Sequence, residues 1–158
     1  MSEQHQLPWS DTCFVCGDAN PFGLRARFLS DEDGTFLTTI VRPEFEGYPG
    51  RVHGGVVTAL LDETIGWACS VRAHKMYFTA ELKVRFKHPV PGGVELTVRG
   101  RCIELRRKAA RGEGHIEDAA GTVLAMASGI YFPVPEAEEA RIIPMLKMPG
   151  RRAIPGDF

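Results

Sequence analysis

Residues 47–72 read GYPGRVHGGVVTALLDETIGWACSVR. Tyr48-Pro49-Gly50 is a turn signal, His53-Gly54-Gly55 follows, and an apolar run of helical length comes next, broken only by Asp62 and Glu63. Val56, Val57, Leu60, Leu61, Ile65 and Trp67 leave no continuous polar face, and a helix apolar nearly all round belongs inside a core. A carboxylate there is costly unless it is paired or lines a cavity, so Asp62 and Glu63 each need a partner or a job.

The entry to this helix carries its own chemistry. Free N–H groups and the positive end of the helix dipole gather at an N-terminus, and Gly54 and Gly55 let an oxygen approach without a Cβ in the way. They form either an oxyanion site or simply a tight loop-to-helix turn. From Gly54 to Asp62 is eight residues, roughly 12 Å along the axis, so one helix cannot bring both groups to one carbonyl carbon. Two antiparallel copies could, which predicts a dimer with two composite sites.

The chain has 158 residues, enough for one ordinary domain with its own core. A 44% hydrophobic, 25% charged composition with net charge -1 describes a globular protein and offers no electrostatic basis for nucleic-acid binding. MSEQHQLPWSD lacks the basic and apolar regions of a signal peptide, and no apolar run is long enough to span a bilayer. The expectation is a cytoplasmic protein with no membrane partner.

Cys13 and Cys16 form CFVCG. Structural zinc ordinarily takes four ligands, and Cys69 and Cys102 sit singly in apolar stretches. The pair is read as a packed turn of small hydrophobes without metal. Zinc, with His5 or His53 completing the site, is the alternative.

The remainder reads as strands. Residues 24–41 fit a hairpin turning at Asp31-Glu32-Asp33-Gly34; 77–86, 94–105, 109–118 and 122–132 form four more strands joined by short turns. Pro133 and Pro135 end the domain, with a short helix possible over 136–142 and mobile last residues. The expected division is an N-terminal segment 1–23, a domain over 24–135 and a tail over 136–158. A hairpin, one buried helix and a strand meander give an α+β domain: the hotdog architecture, an antiparallel sheet wrapped around one long central helix.

CFVCGDANPFGL, GYPGRVHGGVVTALLDE and VRFKHPVPGG together resemble the hotdog-fold thioesterases, most closely the PaaI-like, phenylacetyl-CoA-type branch. The resemblance implies hydrolysis of an acyl-CoA, without a cofactor, by a homodimer that could assemble further into a homotetramer; the bulk of Phe45, Tyr48, Trp67 and Phe78 points to a small, medium-chain or aromatic acyl group. It assigns Asp62 as nucleophile or general base and the Gly54 amide as the group polarising the thioester carbonyl, contributed by different subunits. Glu63, about 100° round the helix, is then a structural acid paired with an Arg or His. His53 either orients the site or is structural. Some hotdog thioesterases carry Thr or Ser one turn beyond the acid, where this chain has Gly66. Gly55 and Asn20 are candidate amide donors to substrate, and Phe45, Tyr48, Trp67 and Phe78 are candidate acyl-pocket walls. Arg85, Arg106 and Arg107, with Lys87, Lys108 and Arg111 nearby, are candidate phosphate contacts, with solvated charge the competing explanation. Two other readings stay open: a hotdog module that binds acyl-CoA without hydrolysing it, and a hydroxyacyl-thioester dehydratase.

Overall fold

Helix α1 (Gly54–Ala73) organises the computed structural model, which describes residues 4–148. His53 caps its start by accepting the Gly55 N–H on its side chain, and His74 ends it in the left-handed conformation at φ 53°. Val57, Leu61, Ile65 and Cys69 are fully buried. The sheet meets the helix at close range because glycines floor it. A Cβ at Gly112 would overlap Ile65, and one at Gly100 would press on the Thr64 backbone at 3.0 Å.

Seven strands curl around this helix: β1 (His5–Gln6), β2 (Leu29–Asp31), β3 (Gly34–Ile40), β4 (Tyr77–Phe86), β5 (Glu95–Arg106), β6 (Ala109–Asp118) and β7 (Val123–Pro133). They pair antiparallel in the order β1-β2-β3-β5-β6-β7-β4, which leaves β4 at an edge. This is the expected α+β hotdog arrangement. A short helix α2 (Glu136–Ile142) follows, and its Glu139 carboxylate accepts the Met76 N–H at 2.6 Å. Among the described residues no helix is long and apolar enough to cross a membrane. The expected mobility of the last residues concerns 149–158, which lie outside the described ones.

Two local expectations need correction. The first hairpin strand, expected from residue 24, begins only at Leu29; Arg25 takes φ 55°, which interrupts extension, and Leu24 and Ala26 bond back to Phe14 and Val15. The short β1 was not anticipated, since two residues carry no readable periodicity. Through these contacts the N-terminal segment enters the main core, with Leu7, Val15 and Cys16 in the same buried cluster as α1.

Candidate active site

Asp62 points from α1 toward the β4 edge. Its Oδ1 accepts the Thr79 hydroxyl at 2.9 Å and the Tyr131 hydroxyl at 3.1 Å, while Oδ2 has no partner among the described residues. Tyr131 also reaches the Asp62 carbonyl at 3.3 Å. A β-bulge tunes this placement: Thr79 pairs with Tyr131 and Glu81 with Ile130, so Ala80 is the extra residue. Burial, reinforced by the Asp62 charge, pushes the Tyr131 phenol well above its ordinary range, so it stays a hydrogen-bond donor. The glycine one turn beyond the acid and a glycine on β7 flank the Tyr131 ring. The Tyr131 ring lies 3.4 Å from where a Gly66 Cβ would sit, and a Gly129 Cβ would come within 2.7 Å of the ring's other edge.

The helix entry is open. His53, Gly54 and Gly55 are exposed, and the Gly55 N–H is spent on His53 Nδ1 at 2.9 Å. The Gly54 N–H has no acceptor among the described residues, and the Phe86 ring flanks it, 3.5 Å from the ideal Cβ position. One amide at the dipole's positive end is thus available, and it is the one at Gly54 rather than at Gly55. It shares a continuous helix with Asp62, eight residues away and roughly 12 Å along the axis.

Among the described residues Glu63 pairs with no Arg or His, contrary to expectation. The Cys13 thiol donates to its Oε2 at 3.3 Å, and Cys16 completes a cluster whose ligand atoms lie within 4.8 Å of one another. Neither His5 nor His53 belongs to that cluster. The hydrogen bond from Cys16 holds the Cys13 thiol down to about 5, while burial, together with the Cys13 charge, pushes Glu63 up to about 8. The two shifts have opposite causes: hydrogen bonds to the Cys13 sulfur favour its charged form, whereas burial and a neighbouring negative charge disfavour that of Glu63.

Other expected site residues disperse. Both ends of the Asn20 amide are used in its own loop: Oδ1 accepts the Phe22 N–H at 2.9 Å and Nδ2 donates to Thr12 O at 3.2 Å. Trp67 is buried, one turn from Glu63 and about 140° round the helix from Asp62. Phe45 packs edge-on against Phe14 at 6.3 Å and under Arg42, whereas Tyr48 is 82% exposed. Phe78 precedes Thr79 on β4, so it projects from the sheet face opposite Asp62.

The arginines do not converge within one chain. Arg85 aligns through Met126 and His115 with Arg99, and Arg106 lies seven residues further along β5, about 20 Å away. Arg106 and Arg111 are also tied to Glu104, at 2.6 and 3.5 Å. Arg107 sits in the exposed turn between β5 and β6.

Thr79 and Tyr131 were missed from sequence. The one available signal was a tyrosine inside the apolar stretch GIYFP, since a buried phenol ordinarily finds a partner.

A sequence profile described as the thioesterase superfamily matches residues 49–125, which spans both Gly54 and Asp62. The human acyl-coenzyme A thioesterase THEM5 is 33% identical over 97 residues, 60% of this chain and 38% of that protein. The chain thus spans about two fifths of that relative's length. The 3-hydroxyacyl-[acyl-carrier-protein] dehydratase FabZ of Proteus mirabilis is 30% identical over 131 residues, 72% of this chain and 85% of that protein. Among solved structures, a thioesterase superfamily protein superposes with TM-score 0.72 at 28% identity, covering 77% of this chain and 60% of its own. The Escherichia coli PaaI protein from the phenylacetic acid degradation operon shares the fold with TM-score 0.65 at 18% identity, covering 71% and 81%. With the profile spanning the helix entry and its acid, and a helix-wrapping sheet common to these structures, the chain has the hotdog fold and matches the thioesterase superfamily over residues 49–125.

Proposed function

We propose that the protein is an acyl-CoA thioesterase of the PaaI-like type, acting as a homodimer that splits a thioester into free acid and CoA. The observation that carries this reading is the Asp62 carboxylate, oriented on Oδ1 by two hydroxyls, on the same helix as the Gly54 amide, with Oδ2 and that amide both without a partner among the described residues. As a thioester carbonyl is attacked, charge builds on its oxygen, and an amide fixed at a helix start binds that charge more strongly than the ground state. Asp62 either attacks the carbonyl carbon or takes a proton from the attacking water. The spacing along α1 requires the amide from one copy and the acid from the other. The β4 edge supports such pairing: among the described residues its outer side is unpaired, and the strand is ten residues long, mostly exposed, and holds Thr79 beside Asp62. A second β4 added antiparallel would extend the sheet and set the two α1 helices antiparallel. Phosphate contacts to the CoA nucleotide, if shared by Arg85 and Arg107, would likewise come from different copies. Four free cysteines suit a reducing, cytoplasmic setting.

A dehydratase acting on 3-hydroxyacyl thioesters is the second reading, favoured by the extent of the FabZ match. Against it, His53 Nδ1 is engaged as the helix cap, about nine residues from Asp62 on the same chain. Incubation with a panel of acyl-CoAs separates the readings. Thiol release that Asp62→Ala abolishes supports the thioesterase. Double-bond formation without thiol supports the dehydratase, and binding without either supports a sensor.

A further inference from the structure

The CFVCG loop is built with more care than a packed turn requires. The Val15 and Cys16 amides both donate to Cys13 Sγ at 3.3 Å, and the Gly17 N–H closes the turn onto Cys13 O at 2.9 Å. Two amide donors on one sulfur favour its thiolate and fold the turn so that both sulfurs face one side. Gly17 is obligatory, since a Cβ there would overlap the carbonyls of Asp11 and Cys13. Arg27 holds the loop from behind, donating to Cys16 O at 2.6 Å and pairing with Asp18.

Facing those sulfurs is Glu63, carried on the rigid α1 helix fifty residues away from Cys13. It forms no ion pair among the described residues. A partly buried acid that meets two thiols and no cationic side chain is an arrangement that folding alone disfavours.

We infer that Cys13, Cys16 and Glu63 form a binding site for one thiophilic divalent cation, zinc by the nature of the donors, with the fourth position taken by water or an external ligand. Two thiolates and a carboxylate are the soft-plus-hard set that tetrahedral zinc accepts. With Zn–S near ~2.3 Å and Zn–O near ~2.0 Å, tetrahedral donors stand about 3.5–3.8 Å apart. Here all three atoms lie within 4.8 Å and Cys13 Sγ is 3.3 Å from Glu63 Oε2, so about an ångström of side-chain adjustment suffices. Binding releases the thiol protons and neutralises the anions that the protein otherwise crowds together. The bound ion would tie the N-terminal loop to α1 at the residue next to Asp62. The inference is independent of the reaction catalysed, because no residue of the Asp62 or Gly54 machinery is a ligand.

Cobalt(II) is the probe. The full chain, reduced and stripped with a chelator, should bind one equivalent of Co2+ with a thiolate-to-cobalt charge-transfer band and tetrahedral visible bands, and Zn2+ should displace it. Cys16→Ser should abolish the charge-transfer band. Glu63→Gln should keep it but weaken Co2+ binding on the order of tenfold or more. Absence of the band at saturating Co2+ in a chain that circular dichroism shows folded overturns the inference. A band unchanged in Cys16→Ser overturns it too, and a Glu63→Gln chain that titrates like the parent removes Glu63 from the ligand set. The parent titration alone is decisive if the cysteine variant does not fold.

Discussion

The Tyr131 phenol donates to Asp62 Oδ1 at 3.1 Å and contacts the Asp62 carbonyl at 3.3 Å, joining the C-terminal end of β7 to the one acid on the β4 side of α1. A buried strand tyrosine thus stands where some relatives were expected to use a hydroxyl on the helix itself.

Replacing the acid should remove the chemistry and spare the fold. Asp62→Asn is expected to lower the rate of thiol release from acyl-CoA by about 10²–10⁴-fold, the usual range for a positioned acid or base. Its circular dichroism spectrum should match the parent's. A variant that hydrolyses at the parental rate would remove Asp62 from the mechanism.

Tyr131→Phe keeps the ring between Gly66 and Gly129 and deletes only the hydroxyl. Because the hydroxyl orients the carboxylate, kcat should fall by more than KM rises, and Thr79→Val should act in the same direction. Steady-state kinetics on one acyl-CoA reads both. A pure rise in KM would assign these hydroxyls to substrate binding instead.

Tyr131 also predicts an alkaline signature. Its phenol is raised above the ordinary tyrosine value of 10.0 by burial and then by Asp62, so above about pH 10 the unfolded chain ionises this group while the folded one holds its proton. The extra proton belongs to the folded state, and stability must therefore fall as pH rises beyond about 10. Urea midpoints measured on either side of that pH should drop less in Tyr131→Phe than in the parent. Equal drops would mean that the phenol ionises freely.

Two glycines against one ring should respond oppositely to alanine. At Gly66 a Cβ meets the ring at an ordinary 3.4 Å, and removing a glycine from a helix interior should stabilise by about 0.5–1 kcal/mol. At Gly129 the Cβ comes to 2.7 Å, and overpacking should cost about 1–3 kcal/mol. Thermal or urea unfolding measures both.

The composite site can be tested by complementation. Gly54 is the first residue of α1 and His53 before it is extended at ψ 135°, so Gly54→Pro deletes the N–H at a position where helices accept proline. Gly54→Pro and Asp62→Asn should each be inactive alone. Coexpressed, random pairing makes half the dimers mixed with one intact site of two, or about a quarter of parental activity. No recovery in verified mixed dimers would place both groups in a single chain's site.

The sequence by itself determined the buried helix, its approximate ends and the four strands after it. Hydrophobic periodicity and turn residues are local signals, and those of residues 47–72 and 77–132 are long and unbroken. It also determined that Gly54 and Asp62 cannot serve one carbonyl within one helix, because helix rise fixes their separation. Only the tertiary structure decided what each acid meets. Asp62 finds Thr79 and Tyr131 because the bulge at Ala80 and the register of β4 on β7 set both hydroxyls under it. Glu63 finds Cys13 and Cys16 because the N-terminal loop packs on that side of α1. Such contacts link residues 17 to 69 positions apart, and they depend on register and packing, which no short window of sequence encodes.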